Sequence, residues 1–477
     1  MKQIQLFGSG VYGKSATVSD QRRVNVYYEI REDGEKAKIS VYGTPGETLF
    51  ATLPNPVRGW SVFKNNMVAV AGSGVYTVNS SGTVTNIGTL QTSAGLTSQI
   101  DNGVLLVIVD GTKCYGWDGT TFTSPLVDSN IPNGATTIAY NDTFFITDYP
   151  AVNGQYNVSP SFYTVGTAWN ALSIGNASSN PDSLIAVDTD HGFLILWGAA
   201  SIEFHQDVGT FPNPYTPIVS ATQQVGLAAK FSRAKFDNTI AFLGTNLQGN
   251  YSVYKLYGFQ PVVISTKDID SYFDDFPVSD ATAISYMWDG HPFYLLTFPS
   301  ATPTARSFLY DGSTGVWSEQ QTGTNLFARY NGNLSLIFNG NVYVSDYSNG
   351  NIYQLRDEPS YTDNGTPIMR LIQTRHIHDN GNMLAIDEVF LDLETGVGLQ
   401  SGQGSNPQIM VSVSKDGGRT FGNERLMSVG MVGQYIGPRA TLRRFGAARD
   451  FVFRFRMTDP VKFAVTYGAA VTRGLGK

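Results

Sequence analysis

Short apolar runs alternate with Gly, Asn and Asp turns along most of this chain, and one unit keeps returning. From Val57 to Glu358 it reads as an apolar strand, a tight turn and a second apolar strand. A Gly or Asp-Gly turn, an aromatic-rich strand and a last strand ending near Trp, Phe or Tyr complete it. The first copy contains RGWSVFKNNMVAVAGSGVYTVNSSGTVTNIG, the second NGVLLVIVDGTKCYGWDGTTFT, and the seventh, the cleanest, ARYNGNLSLIFNGNVYVSDYSNGNIYQL. Copies recur at roughly 40 to 50 residues, the spacing of four-stranded propeller blades. Counting gives seven units; the divergent fifth, around NTIAFLGTNLQGNYSVYKLYGFQPVVI, can be split or merged, so six or seven blades are expected. The turns WDG (117–119), WDG (288–290) and YDG (310–312) suit hairpins, because Asp tolerates the bend and Gly supplies a positive φ.

Beyond the repeat the pattern changes. PSYTDNGTP (359–367) has the composition of a linker. After it, LAIDEVFLDLETG, PQIMVSVSKDG, RDFVFRFRM and VKFAVTYGAAV mostly alternate apolar with polar at period two, as half-buried antiparallel strands do. The N-terminal RVNVYYEIREDGEKAKISVYG predicts a hairpin turning at Asp33-Gly34, able to pair with either larger domain. The expected organisation is all-β. An N-terminal arm and hairpin (1–55) precede a six- or seven-bladed β-propeller (56–358), a linker (359–367) and a β-sandwich-like domain (368–477).

Composition agrees with many short strands. Only 15% of residues are charged, against roughly 25% in an average domain, and Gly reaches 50 of 477. The net charge of −7 argues against a protein that grips nucleic acid by charge, and remains compatible with lining a passage through which DNA slides. Cys114 is the only cysteine, which excludes an intrachain disulfide and favours folding in a reducing cytoplasm. The longest apolar runs, GVLLVIV and GFLILWGAA, fall far short of the roughly 20 residues that span a bilayer. MKQIQLFGSGVYGK has no apolar core of an export signal.

The most motif-like stretch is SVSKDGGRTFGNERL. Ser414, Asp416, Gly418, Thr420 and Phe421 fit S-x-D-x-G-x-T-F, the Asp-box of sialidases and other propeller glycosidases. Those enzymes carry several boxes, one per blade, whereas this one lies outside the repeat. Catalysis would also need an arginine cluster and an activated nucleophile, which the sequence does not identify. Ser and Asp side chains capping a turn explain the box. Asp268, Asp270, Asp274 and Asp275 in KDIDSYFDDF offer paired carboxylates but read as a solvated segment. His376 and His378 in RHIH would share a strand face, with too few partners for a zinc site. GSGVYGKS (8–15) lacks phosphate-loop spacing and reads as an arm. No catalytic residue, cofactor or metal is expected. Arg439, Arg443, Arg444 and Arg449, with Arg454 and Arg456, crowd into GPRATLRRFGAARDFVFRFRM. They read either as a sheet face paired to acids or as a subunit interface, the reading preferred here.

Three stretches together resemble the packaged-DNA stabilisation proteins of short-tailed bacteriophages, also called tail-hub or nozzle proteins. The first is RRVNVYYE with VYGTPG and PVRGWSVF. The second is SLIAVDTDHGFLILWGAASIEFHQDVG, with its core Gly198, Ser201, Ile202, Glu203 and Phe204. The third runs from VSVSKDGGRTFGNERLM to LRRFGAARDFVFRFRM. The resemblance implies a virion structural protein assembled in the host cytoplasm. It implies a sixfold ring below the portal and adaptor rings that continues the DNA channel; the acidic balance of the chain adds the expectation that double-stranded DNA passes without tight binding. It further implies that the ring helps retain the genome and anchors tail fibres or spikes. A propeller glycosidase or glycan-binding tail protein is the alternative.

Overall fold

Repeated tight turns fold the central region into seven antiparallel sheets. The structure is a computed structural model that describes residues 2–8, 21–31, 38–356, 361–434, 437 and 439–476. Blades one to six run in chain order from Val57–Phe63 to Val316–Glu319, each a four-stranded meander; blade five is one sheet with a divided first strand, Val225–Leu227 and Ala234–Phe236. Blade seven takes Gly332–Phe338, Asn341–Asp346 and Asn351–Arg356 from the repeat, and its fourth strand, Gly46–Thr52, from the N-terminal region. Successive inner strands pack on one another, and that of blade seven meets that of blade one. The ring therefore closes. Trp60 Nε1 of blade one donates to Ser335 O of blade seven at 3.0 Å across this seam.

Second strands explain the long apolar runs. Leu106–Val109 and Phe193–Gly198 are buried on nearly every residue because neighbouring blades cover both of their faces. Core side chains accordingly lie between blades, such as Val68 and Val70 of blade one against Ile108 and Tyr115 of blade two. The turn glycines differ in their reasons. Gly119 and Gly290 have φ of 100° and 79°, as a hairpin turn demands. Gly312 does not: an added Cβ there would sit 2.7 Å from Phe236, so close packing selects it. KDIDSYFDDF holds a short helix, Lys267–Phe273, whose Ile269 and Phe273 are buried against blades five and six.

The C-terminal region packs two sheets face to face. One orders Val26–Ile30, Ile39–Gly43, Ala464–Gly476, Met383–Leu393 and Arg439–Ala448, with Lys2–Gln5 also on Ala464–Gly476. The other continues the sheet of blade six: Val316–Glu319, Arg23–Val24, Arg370–Gln373, Asp450–Met457, Gln408–Ser414 and Arg425–Ser428. Leu6, Val26, Tyr28 and Val41 join Val389, Val411, Phe453 and Phe455 in one core.

The N-terminal region is thus divided between the two domains rather than standing apart. Its first four paired strands join the sandwich sheets and its last completes blade seven. The predicted hairpin pairs Val26 with Gly43 through Ile30 with Ile39, while the turn at Asp33-Gly34 lies outside the described residues. Most of GSGVYGKS (8–15) also lies outside them. In the linker, Thr362–Asp363 and Thr366–Pro367 form a hairpin that turns at Asn364 and Gly365, with φ of 47° and 88°. Its first strand pairs with blade seven at Asp363 and Glu47.

Candidate functional site

Polar side chains concentrate where the N-terminal segment joins the domains. Strand Arg23–Val24 lies between Val316–Glu319 of blade six and Arg370–Gln373 of the sandwich. Arg22 grips Glu319 with two bonds, Nε to Oε1 at 2.7 Å and Nη2 to Oε2 at 2.9 Å. Arg306 Nη2 adds a third to Oε2 at 2.7 Å. Burial would raise the Glu319 carboxyl, but the two guanidiniums outweigh it and hold it below its ordinary range. Both arginines stack on Phe327, at 4.1 and 4.8 Å. Asn25, at φ 53°, donates from Nδ2 to Gln321 O (2.9 Å) and Met369 O (3.0 Å), while its Oδ1 accepts from Gln321 N (2.9 Å). One amide thereby ties the exit of blade six to the entry of the sandwich. Asn tolerates this left-handed backbone better than most residues.

The flanking glycines belong to the same fit. A Cβ on Gly43 would lie 2.3 Å from Arg370 Nε, and one on Gly46 would lie 2.7 Å from Thr362 O. Arg58 of PVRGWSVF donates to the carbonyls of Gly72, Thr92, Ala94 and Gly95 at 2.5 to 2.9 Å, which fixes the loop between blades one and two. RRVNVYYE, VYGTPG and PVRGWSVF are therefore architectural at the level of single atoms. The roles of Arg22, Asn25 and Glu319 do not show in the pattern of these stretches. A cue was present, however: two adjacent arginines before an alternating strand.

The motif in blade four is built likewise. Asp182 accepts from Ala200 N at 2.7 Å and from Ser201 Oγ at 3.2 Å, and a Cβ on Gly198 would lie 2.4 Å from its Oδ2. Ile202 and Phe204 are core residues. Glu203 accepts from Ser179 N at 2.7 Å and meets His205 Nε2 at 3.3 Å; His205 Nδ1 meets Tyr156 OH of blade three at 3.2 Å. Burial would raise the Glu203 carboxyl, but the bonds from His205 and Ser179 hold it low. The chain of contacts spans two blades and leaves Glu203 hydrogen-bonded on both oxygens.

The Asp-box forms a turn between Gln408–Ser414 and Arg425–Ser428. Ser414 Oγ donates to Asp416 Oδ1 (2.6 Å) and accepts from Gly418 N (2.8 Å). Asp416 also accepts from Arg419 N at 3.1 Å, Thr420 N at 3.0 Å and Thr420 Oγ1 at 2.6 Å, which hold its carboxyl far below the ordinary range. Gly417 and Gly418 take φ of 73° and 82°. Phe421 lies under the Arg454 guanidinium at 3.8 Å.

The other arginines spread over the sandwich. Arg439 pairs with Asp392 (2.8 and 3.0 Å), Arg443 with Glu388 (2.9 Å) and Arg456 with Glu424 (3.0 and 2.9 Å). Arg449 donates to Gly381 O, and Arg444 stands exposed at φ 66°. His376 Nδ1 bonds Asp450 at 2.6 Å, and His378 is exposed. Asp270 accepts from Ser252 and Ser265. Among the described residues no cluster of three or more His, Cys, Asp or Glu has the geometry to hold a metal ion.

The family described as Bacteriophage P22 Gp10, beta-propeller, matches residues 2–360, and that described as Bacteriophage P22 Gp10, beta-sandwich, matches residues 369–472. The tail hub protein gp10 of Salmonella phage P22 is 24% identical over 191 residues, covering 38% of this chain and 39% of that protein. Two solved WD40 propellers are similar in fold. That of Doa1 is 13% identical and covers 65% of this chain and 96% of its own, with a TM-score of 0.39. That of Neurospora crassa Pan2 is 7% identical and covers 67% and 98%, with a TM-score of 0.42. The two Gp10 matches fall in the order of the observed propeller and sandwich and together span nearly the whole length, so the chain belongs to the bacteriophage P22 Gp10 family.

Proposed function

We propose that this chain is a structural subunit of a phage tail hub. In this reading it is a virion component that assembles in six copies into a ring below the portal and adaptor. The ring continues the DNA channel, helps retain packaged DNA and anchors fibres or spikes. The observation that carries the reading is family membership across both domains. The fate of the polar residues supports it. Arg22, Glu319, Asn25, Glu203 and Asp416 are committed to holding strands and turns together. A propeller closed by its own N-terminal strand and continuous with a second domain is a stiff strut, which suits a load-bearing ring.

Negative-stain electron microscopy of the purified full-length protein tests the proposal. Closed sixfold rings with a central channel are expected. A protein that stays monomeric at every concentration and hydrolyses surface glycans would overturn it.

A further inference from the structure

Charge is divided between the two parts of the chain. Residues 57–356 carry eleven Lys and Arg against 21 Asp and Glu, a net charge of −10. Residues 368–477 carry fourteen against nine, a net charge of +5. Much of the acid in the sandwich is already paired across strands, as in Arg439–Asp392, Arg443–Glu388, Lys462–Glu394 and Arg473–Asp387. Three cations without such partners lie together at one edge.

That edge is formed by Arg425–Ser428 and Arg439–Ala448, the last strands of the two sandwich sheets, which lie against each other. Arg425 stacks on Phe445 at 4.9 Å. Lys415 Nζ reaches the next residue, where a Cβ on Gly446 would sit 3.1 Å from it. Arg444 precedes Phe445 at a register shift: Ile386 pairs with Gly446 and Glu388 with Arg443, so two residues oppose Asp387 alone. Such a bulge re-aims a side chain, and here it holds Arg444 exposed at φ 66°. Among the described residues Lys415, Arg425 and Arg444 are in no ion pair. Leu426 stands 62% exposed beside them.

Charges on an edge strand ordinarily serve to prevent stray strand pairing. Any rotamer of any lysine would do that, whereas a left-handed arginine is a strained way to place one more surface charge. The position of the edge points further. It lies five strand spacings, roughly 24 Å, from blade six along the shared sheet.

We propose that this basic edge docks on the acidic propeller of a neighbouring copy of the same chain. The contact deepens the ring reading above and rests on it. Like edges would repel, so the contact joins two unlike surfaces head to tail, the type of interface that closes rings. The complementary partner is the propeller of the next copy, whose residues 57–356 carry a net charge of −10.

The test compares full-length wild type, Arg444→Gly, and Arg425→Glu with Arg444→Gly, by mass photometry between roughly 0.05 and 0.5 M salt. Glycine accepts the left-handed backbone, so Arg444→Gly removes the charge without straining the fold. Wild-type assembly is expected to weaken about tenfold or more with salt, and the double variant to assemble about tenfold less well at low salt while melting like wild type. If the double variant misfolds, Arg444→Gly alone decides by the same loss. Salt-insensitive rings that survive in the variants would overturn this contact and leave the ring reading standing. A wild type that never assembles would overturn both. Intact variant rings that lose only duplex-DNA binding would make the edge a DNA contact and overturn the proposal.

Discussion

Glu47 shows how a single buried acid couples fold to pH. It stands at a parallel bridge between blade seven and the linker hairpin, opposite Asp363, and both residues are buried. Burial pushes the Glu47 carboxyl from its ordinary 4.5 up to about 7, against bonds from Tyr330 and Asn331, with Asp346 adding to the rise. Burial and Glu47 raise Asp363 well above its ordinary range, and Arg370 opposes them. A folded-state value above the unfolded one means that the fold holds a proton the unfolded chain releases. This contribution to stability is fully present below about pH 4.5 and is lost as pH rises through about 7. The melting temperature should therefore fall between roughly pH 5 and pH 8, and Glu47→Gln should flatten that fall. An equal slope in the variant would place the pH dependence elsewhere. Asp416→Ala, which strips the carboxylate from the box turn, should lower the melting temperature of the protein and abolish no chemistry. Assays of melting and of glycan hydrolysis on both proteins check it; turnover present in wild type and lost in the variant contradicts the structural role.

Strands show the limits of local pattern. RRVNVYYE reads as a strand from its alternation, yet nothing in that alternation says which edge it joins. Its Arg23–Val24 portion lies between blade six and the sandwich. Removing Glu319 would leave the buried Arg22 and Arg306 guanidiniums without their shared carboxylate. Glu319→Ala should therefore cost about 3–5 kcal/mol in urea unfolding, as breaking a buried ion pair does. A cost near that of an exposed pair, about 0–1 kcal/mol, would show the junction to be open to water. At the ring seam, Trp60→Phe keeps the ring packing but leaves Ser335 O without its donor, so a loss of about 1–3 kcal/mol is expected in the same measurement.

At the scale of the whole molecule, the shared sheet makes propeller and sandwich depend on one N-terminal segment. A fragment covering 361–476 lacks Arg23–Val24, Val26–Ile30 and Ile39–Gly43, and with them Val26, Tyr28 and Val41 of its core. Expressed alone it should lack a cooperative melting transition, and co-expression with residues 1–45 should restore one; a fragment that melts sharply by itself would show the segment to be dispensable. The acidic propeller also bears on the proposed channel. Each neutralised phosphate adds affinity through counterion release, so a conduit needs few basic contacts. Fluorescence anisotropy at physiological salt should show weak duplex-DNA binding. Tight binding that falls steeply with salt would indicate a clamp.

Local pattern is enough for the elements and the class of fold. Turn spacing, the apolar second strands and the switch to period-two alternation are local, and they sufficed for an all-β chain with a propeller followed by a sandwich. The divergent fifth unit hid the blade count, because its first strand is split around a short connection that reads as a break. That Gly46–Thr52 closes blade seven, that the linker hairpin pairs with it, and that Arg22 and Glu319, 297 residues apart, meet are visible in the folded chain alone. The reason is physical. A strand's own residues set its pleat and its buried face, but its hydrogen-bonding edges are alike in every sequence. Partner choice therefore follows from which apolar faces must be covered together and which buried charges must be met.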